Sequence, residues 1–112
     1  GNDHSPTDPW LNRYIFPNGM LPSTVDMASA LEGLFVMEDW HNLRADYHRT
    51  VVAWADRFEA HAAELGVSER FHRMWRYYLL TMAGCFLAGS RNQLWQIVLS
   101  KRGVREGYRA PR

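Results

Sequence analysis

Two apolar stripes set back to back, with a glycine between them, constrain this chain more than any other feature. Tyr47, Val51, Trp54, Phe58, Ala62 and Leu65 recur at spacings of three or four, so they share one face of a helix over about residues 46–65. Gly66 follows as a natural C-terminal stop. Ser68 then caps a second helix, whose stripe is Phe71, Met74, Trp75, Tyr78, Leu79, Met82 and Phe86. Arg70, Arg73 and Arg76 flank that stripe, and Gly89-Ser90 breaks the pattern. On either side lies a β-rich run. Residues 34–41 (LFVMEDWH) begin fully apolar, which suits a buried strand, and residues 93–100 (QLWQIVLS) read as a second strand. A shorter helix over about residues 24–31 is capped by Ser23 or Thr24 and ended by Gly33. The order is short helix, strand, helix, helix, strand, an α+β chain.

The 112 residues are one domain's worth of protein, enough to bury roughly two-thirds of the extended chain's surface. They are too few for a nucleoside-binding α/β sheet covered on both faces. Residues 1–9 (GNDHSPTDP) read as a flexible lead-in, residues 10–100 as a single α+β domain and residues 101–112 as a frayed basic tail. Trp10, Tyr14, Ile15 and Phe16 are apolar anchors ahead of the Pro17-Asn18-Gly19 turn. The chain starts on Gly1 rather than Met, as expected of a cleaved tag or an excised fragment. It shows no signal peptide and no apolar run near 18 residues.

Net charge is only +1, so no bulk field demands an acidic partner. The distribution is uneven. The tail carries Lys101, Arg102, Arg105, Arg109 and Arg112 against Glu106, and every basic residue but Lys101 is arginine. Lipid headgroups, nucleic acid or plain solubility would each account for that tail. Nucleic acid rests on charge alone, and the expectation is no nucleic-acid partner.

Several residues invite a chemical reading. Glu38, Asp39, His41, Asp46 and His48 fall within eleven residues, but they lack a metal-ligand spacing such as HExxH, and no metal is expected. Cys85 is a lone thiol without a paired base. Gly84, Gly89 and Gly103 are isolated, so there is no glycine-rich phosphate loop. Tyr47 heads the long helix, where unpaired N–H groups and the helix field favour anions. Its phenol either positions a small anion or simply packs its ring and exposes its hydroxyl; position alone favours packing.

Larger blocks of sequence carry a resemblance. DPWLNRYIFPNGMLPS (residues 8–23), FVMEDWHNLRADYHRTVVAW (35–54), SERFHRMWRYYL (68–79), AGCF (83–86) and QLWQIVLSKRGV (93–104) stand in this order. Together they resemble the C-terminal part of bacterial cyclopropane-fatty-acyl-phospholipid synthases. The resemblance implies the C-terminal part of a class I S-adenosylmethionine-dependent methyltransferase fold. In that fold the two strands are the last of the sheet and pair antiparallel, so the expected unit is two long helices packed on a small antiparallel two-stranded sheet.

The same resemblance implies methylene transfer from S-adenosylmethionine to unsaturated phospholipid acyl chains, with bound bicarbonate taking the proton. The family's bicarbonate-binding tyrosine falls in the block reading RADYHRT, which makes Tyr47 the catalytic candidate. Trp54, Phe58, Trp75, Tyr78, Met82 and Phe86 become candidates for contact with the acyl chain. No cofactor-binding residue is expected in this chain, because the family's donor loop lies upstream of the matched region. S-adenosylmethionine and bicarbonate belong to the complete enzyme, and this chain alone is expected to be inactive. The alternative is a free-standing, non-catalytic module for lipid or another hydrophobic ligand, completed by homodimerisation. The partners implied are a phospholipid or fatty acyl chain, an anionic membrane surface and a second copy. The location implied is the cytoplasm, peripheral to the inner membrane face.

Overall fold

A computed structural model describes residues 5–6 and 8–112; positions 1–4 and 7 of the expected lead-in lie outside the described residues. The chain divides into two compact units. One comprises the described residues up to 40 with 97–112, the other residues 41–96.

In the first unit, β1 (Ser5–Pro6) pairs antiparallel with β2 (Met20–Leu21), a small ladder that the sequence does not announce. Between them lies α1 (Pro9–Tyr14), where the sequence suggests only anchors before a turn. Its cause is local. The Asp8 carboxylate accepts the N–H groups of Trp10 and Leu11, and Pro9 occupies the first helical position, where its missing donor costs nothing. Asn18 takes a positive φ of 59°, as the turn requires, and its N–H donates to the side chain of Asn12. Next comes α2 (Thr24–Leu31), closed by a reciprocal capping box between Ser23 and Asp26.

β3 (Val36–Asn42) and β4 (Trp95–Ser100) form the second two-stranded sheet. β3 begins later than residue 34 because the N–H groups of Leu34 and Phe35 both turn back to the carbonyl of Leu31. The N–H of Leu43 donates to Leu94 O at 2.7 Å, while Glu38 accepts the Ser100 hydroxyl at 2.6 Å. The start of one strand thus meets the end of the other, and the pair is antiparallel. The apolar opening of β3 suits a buried strand, yet Leu34, Phe35, Val36 and Met37 are all exposed. Residues 101–112 are held rather than frayed. Gly103 N–H donates to the Ser100 hydroxyl, Gly107 N–H to Val104 O, and the Arg112 guanidinium to both oxygens of Asp39.

The second unit is a helical hairpin. α3 (Arg44–Leu65) ends at Gly66, whose φ of 63° is the left-handed conformation that only glycine adopts without strain. α4 (Glu69–Cys85) starts where the Ser68 hydroxyl accepts the N–H of Phe71. Val51 and Ala55 of α3 meet Leu79 and Ala83 of α4 in the buried seam, and Tyr47, Phe58, Trp75, Tyr78 and Met82 pack against it. The seam is narrower than the apolar stripes. Ala55 is buried while its neighbour Trp54 is 45% exposed, because alanines at 55 and 83 let the helices approach more closely than an indole would.

Candidate functional site

The antiparallel hairpin brings the first turn of α3 beside the last turn of α4, and two side chains bind them there. Arg44 Nη1 donates to the carbonyl of Phe86, the C-cap of α4, at 2.7 Å. One turn later His48 Nδ1 lies 2.7 Å from the carbonyl of Ala83, which makes that nitrogen the protonated one. Both bonds go to carbonyls at a helix C-terminus, where positive charge is favoured; Ala83 O also takes the long 3.4 Å bond from the Phe86 N–H. At the other end of this turn Asn42 Oδ1 accepts the N–H of Arg44, and the N–H of Tyr47 is taken by Leu43 O. The main-chain donors at Arg44 and Tyr47 therefore have partners.

That side chain is half-buried among aromatics. Its ring meets Phe86 edge-on, with centroids 4.7 Å apart, and Trp54 edge-on at 6.0 Å. Tyr78 stacks obliquely on Trp75 at 4.9 Å, and Trp75 in turn lies parallel to Phe71 at 5.8 Å. Burial, and secondarily the neighbouring Tyr47 phenol, push the Tyr78 hydroxyl above its ordinary pKa. Two phenols thus occupy an apolar wall at the stitched end of the hairpin. Such a wall suits an acyl chain, and the hydroxyls supply hydrogen-bond donors within it.

The structure brings Tyr47, Trp54 and Phe86 into one aromatic cluster, while Phe58, Trp75, Tyr78 and Met82 lie along the same helix pair. Phe86 is buried beneath Tyr47, and Phe58 packs edge-on to His72. Beside Phe58 a shallow groove of about 160 Å³ is lined by Ala55, Asp56, Glu59, Arg76, Leu79 and Leu80. The polar edge of the groove is Glu59, which His72 Nε2 approaches at 3.1 Å and Arg76 at 3.7 Å.

The acidic and histidine residues between positions 38 and 48 go separate ways. Glu38 accepts from Ser100, Asp39 pairs with Arg112, Asp46 pairs with Arg49 and His48 meets Ala83 O. Among the described residues no three His, Cys, Asp or Glu side chains gather as metal ligands. Sequence reasoning missed Arg44. Its signal is the spacing 44, 47, 48 and 51, which puts it on the same helix face as Tyr47, His48 and buried Val51.

Comparison with known proteins defines the class. Residues 2–97 match the mycolic acid cyclopropane synthetase family, and the chain belongs to it. Among its relatives, the cyclopropane-fatty-acyl-phospholipid synthase of Escherichia coli K12 is 54% identical over 107 residues, covering 94% of this chain. The protein of the same name from Citrobacter freundii is 47% identical over 88 residues, which are 77% of this chain and 97% of that protein. The tuberculostearic acid methyltransferase of Mycobacterium tuberculosis is 38% identical over 89 residues. The matched stretch spans only 28% of the length of the Escherichia coli protein.

Proposed function

We propose that the chain is the acyl-substrate side of a cyclopropane-fatty-acyl-phospholipid synthase and is inactive alone. The supporting observation is the placement of Tyr47, its ring fixed between Phe86 and Trp54 on a hairpin from this family. In the whole enzyme S-adenosylmethionine supplies the methyl group for a phospholipid acyl double bond, and bicarbonate accepts the proton lost on ring closure. The strand-to-helix passage from β3 to α3 is Asn42-Leu43-Arg44, without the glycine turn that lets a backbone close on such a ligand. A bicarbonate is better served. The Tyr47 hydroxyl would donate to one of its oxygens, and the apolar surroundings would strengthen that hydrogen bond by excluding water.

Trp54, Phe58, Trp75, Tyr78, Met82 and Phe86 shape the acyl contact in this reading, either directly or by supporting the rings that touch the chain. Trp54 is nearly half exposed and offers area, whereas buried Phe86 holds Tyr47 in place. No helix among the described residues is long and apolar enough to cross a membrane. The working place proposed is the cytoplasmic membrane face, reached peripherally.

The test is a graft of this chain onto the Escherichia coli enzyme in place of its matching segment. Incorporation of labelled methyl groups into unsaturated phospholipid is then followed. The graft is expected to be active, and Tyr47→Phe to reduce its turnover about 100-fold, the scale of a lost proton-transfer contribution. The isolated chain should show no turnover and no thermal stabilisation by S-adenosylmethionine. Saturable stabilisation of the isolated chain, or full activity of the Tyr47→Phe graft, would overturn the reading.

A further inference from the structure

The carbonyls that close α4 each have a partner, and two of them are held from across the hairpin. Within the segment that follows the helix, Ser90 Oγ donates to the carbonyl of Cys85, and the N–H of Leu87 to Gly84 O at 3.2 Å. Ala83 O takes a long bond of 3.4 Å from the Phe86 N–H. From α3 come two shorter bonds, Arg44 Nη1 to Phe86 O and His48 Nδ1 to Ala83 O, both at 2.7 Å. Arg44 and His48 stand one helical turn apart, so together they pin the C-terminus of α4 to the first turns of α3.

Tyr47 lies between the two anchors, three positions after Arg44 and one before His48, and all three side chains are half-buried. Its ring meets that of Phe86 with centroids 4.7 Å apart and planes at 84°. The residue whose carbonyl Arg44 holds is therefore the residue on whose ring Tyr47 rests. This closes a short circuit. It runs along the main chain of α3 from Arg44 to Tyr47, across the ring contact to Phe86, and from the Phe86 carbonyl back to the guanidinium. The start of α3 has need of such a hold, because helix ends fray and its N-cap, Leu43, makes no side-chain cap bond. A stitch for stability alone could stand anywhere along the seam, whereas this one brackets Tyr47.

We propose that Arg44 is a positioning residue for Tyr47 and acts through Phe86. Its bond to the Phe86 carbonyl seats the Phe86 ring, and that ring fixes the direction in which the Tyr47 hydroxyl points. His48 secures the same helix end three residues earlier, at Ala83. The inference rests on the reading of Tyr47 as the residue that holds bicarbonate, and it adds what aims that hydroxyl. Aim matters because a displacement of about 1 Å can cost about 100-fold in rate.

A double-variant cycle in the grafted Escherichia coli enzyme tests it. Arg44→Met keeps much of the stem and removes the donor. It should lower kcat about 10-fold, leave KM for S-adenosylmethionine unchanged and raise the bicarbonate concentration needed for half-maximal rate. Arg44→Lys keeps a charged donor and should recover most of the rate. In the Tyr47→Phe background Arg44→Met should cost no more than about twofold further, because the hydroxyl that it aims is gone. A role in folding alone would lower both backgrounds alike.

Proton resonances of the Tyr47 ring in the 112-residue chain give a readout that needs no activity. The ring current of Phe86 should set them apart from those of an exposed tyrosine. Arg44→Met should draw them back toward the exposed values, and Arg44→Lys should not. Equal rate losses in the two backgrounds, an unmoved Tyr47 ring, or loss of the helical circular dichroism in Arg44→Met would each overturn the proposal. So would a raised KM for phospholipid with unchanged kcat, which would put the guanidinium on the lipid instead. An inactive graft sinks the functional reading, and the ring resonances still decide whether Arg44 seats Tyr47. A fully active Tyr47→Phe graft sinks that reading and this inference with it, whereas a graft that needs Tyr47 but not Arg44 sinks this inference alone.

Discussion

The ring of Tyr47 stands edge-on against that of Phe86, with centroids 4.7 Å apart and planes at 84°. Phe86 is buried, so the tyrosine leans on a fixed support at the end of α4. Support and chemistry can therefore be separated by substitution. Tyr47→Phe should change the thermal stability of the chain by less than about 1 kcal/mol, because the edge-on contact survives. Phe86→Ala should cost about 3–4 kcal/mol, since a buried ring is lost and a cavity is left. Urea unfolding followed by circular dichroism at the helical band measures both. A Tyr47→Phe loss near that of Phe86→Ala would mean that the hydroxyl is structural.

The two bonds that join α3 to the end of α4 should be separable from the apolar seam. Arg44→Met keeps much of the side chain's packing and removes the donor to Phe86 O, leaving a partly buried carbonyl without its charged partner. The expected loss is about 1–2 kcal/mol. His48→Ala removes the bond to Ala83 O and should cost a similar amount. The pair acts on carbonyls three residues apart at one helix end, so the double variant should lose less or more than the sum of the two. Strict additivity in denaturant melts would show that the two bonds act independently.

What could be read from the sequence depended on how local the cause was. The helices of the hairpin were legible because spacings of three and four, Gly66 and Ser68 are all local signals. The seam within them was not. Periodicity weighs Trp54 above Ala55, whereas close helix approach reverses that order. In α1 the signal of Asp8 before Pro9 was present, but six residues, fewer than two helical turns, are too few for periodicity to show. The Arg44 bond to Phe86 spans 42 positions, a separation at which no spacing rule operates. Tyr47 became a catalytic candidate through resemblance to a family; its position alone pointed as readily to packing. The run from Leu34 to Met37 marks the opposite limit, because an apolar strand reads the same whether its own chain covers it or leaves it exposed.

Glu59 sits at the edge of the groove between the helices, shared by His72 at 3.1 Å and Arg76 at 3.7 Å. All three side chains are a third or more exposed, so water and salt screen their attraction. Glu59→Gln should therefore cost less than about 1 kcal/mol, and the loss should shrink further in high salt. Leu79→Ala, on the buried side of the same groove, should cost about 2–4 kcal/mol and should not respond to salt. Thermal melts of both variants at low and high ionic strength make the comparison. A larger loss from Glu59→Gln than from Leu79→Ala would mean that the hairpin is held chiefly by its polar edge.

The Tyr78 hydroxyl ionises above its ordinary value of 10.0, chiefly because burial disfavours the phenolate and secondarily because Tyr47 lies near. The folded chain thus holds this proton more tightly than the unfolded chain does. Its contribution to stability is fully present below pH 10 and is lost as the pH rises through the folded-state pKa. Spectrophotometric titration of tyrosinate should show a late component that Tyr78→Phe removes. The same substitution should flatten the fall of melting temperature above pH 10 while leaving the melt near pH 7 less affected. Tyr47→Phe removes the smaller of the two causes, so it should move the late component toward lower pH without abolishing it. A Tyr78 that titrates with the exposed tyrosines would place its hydroxyl in water, and the apolar wall beside Tyr47 would then lack its second phenol.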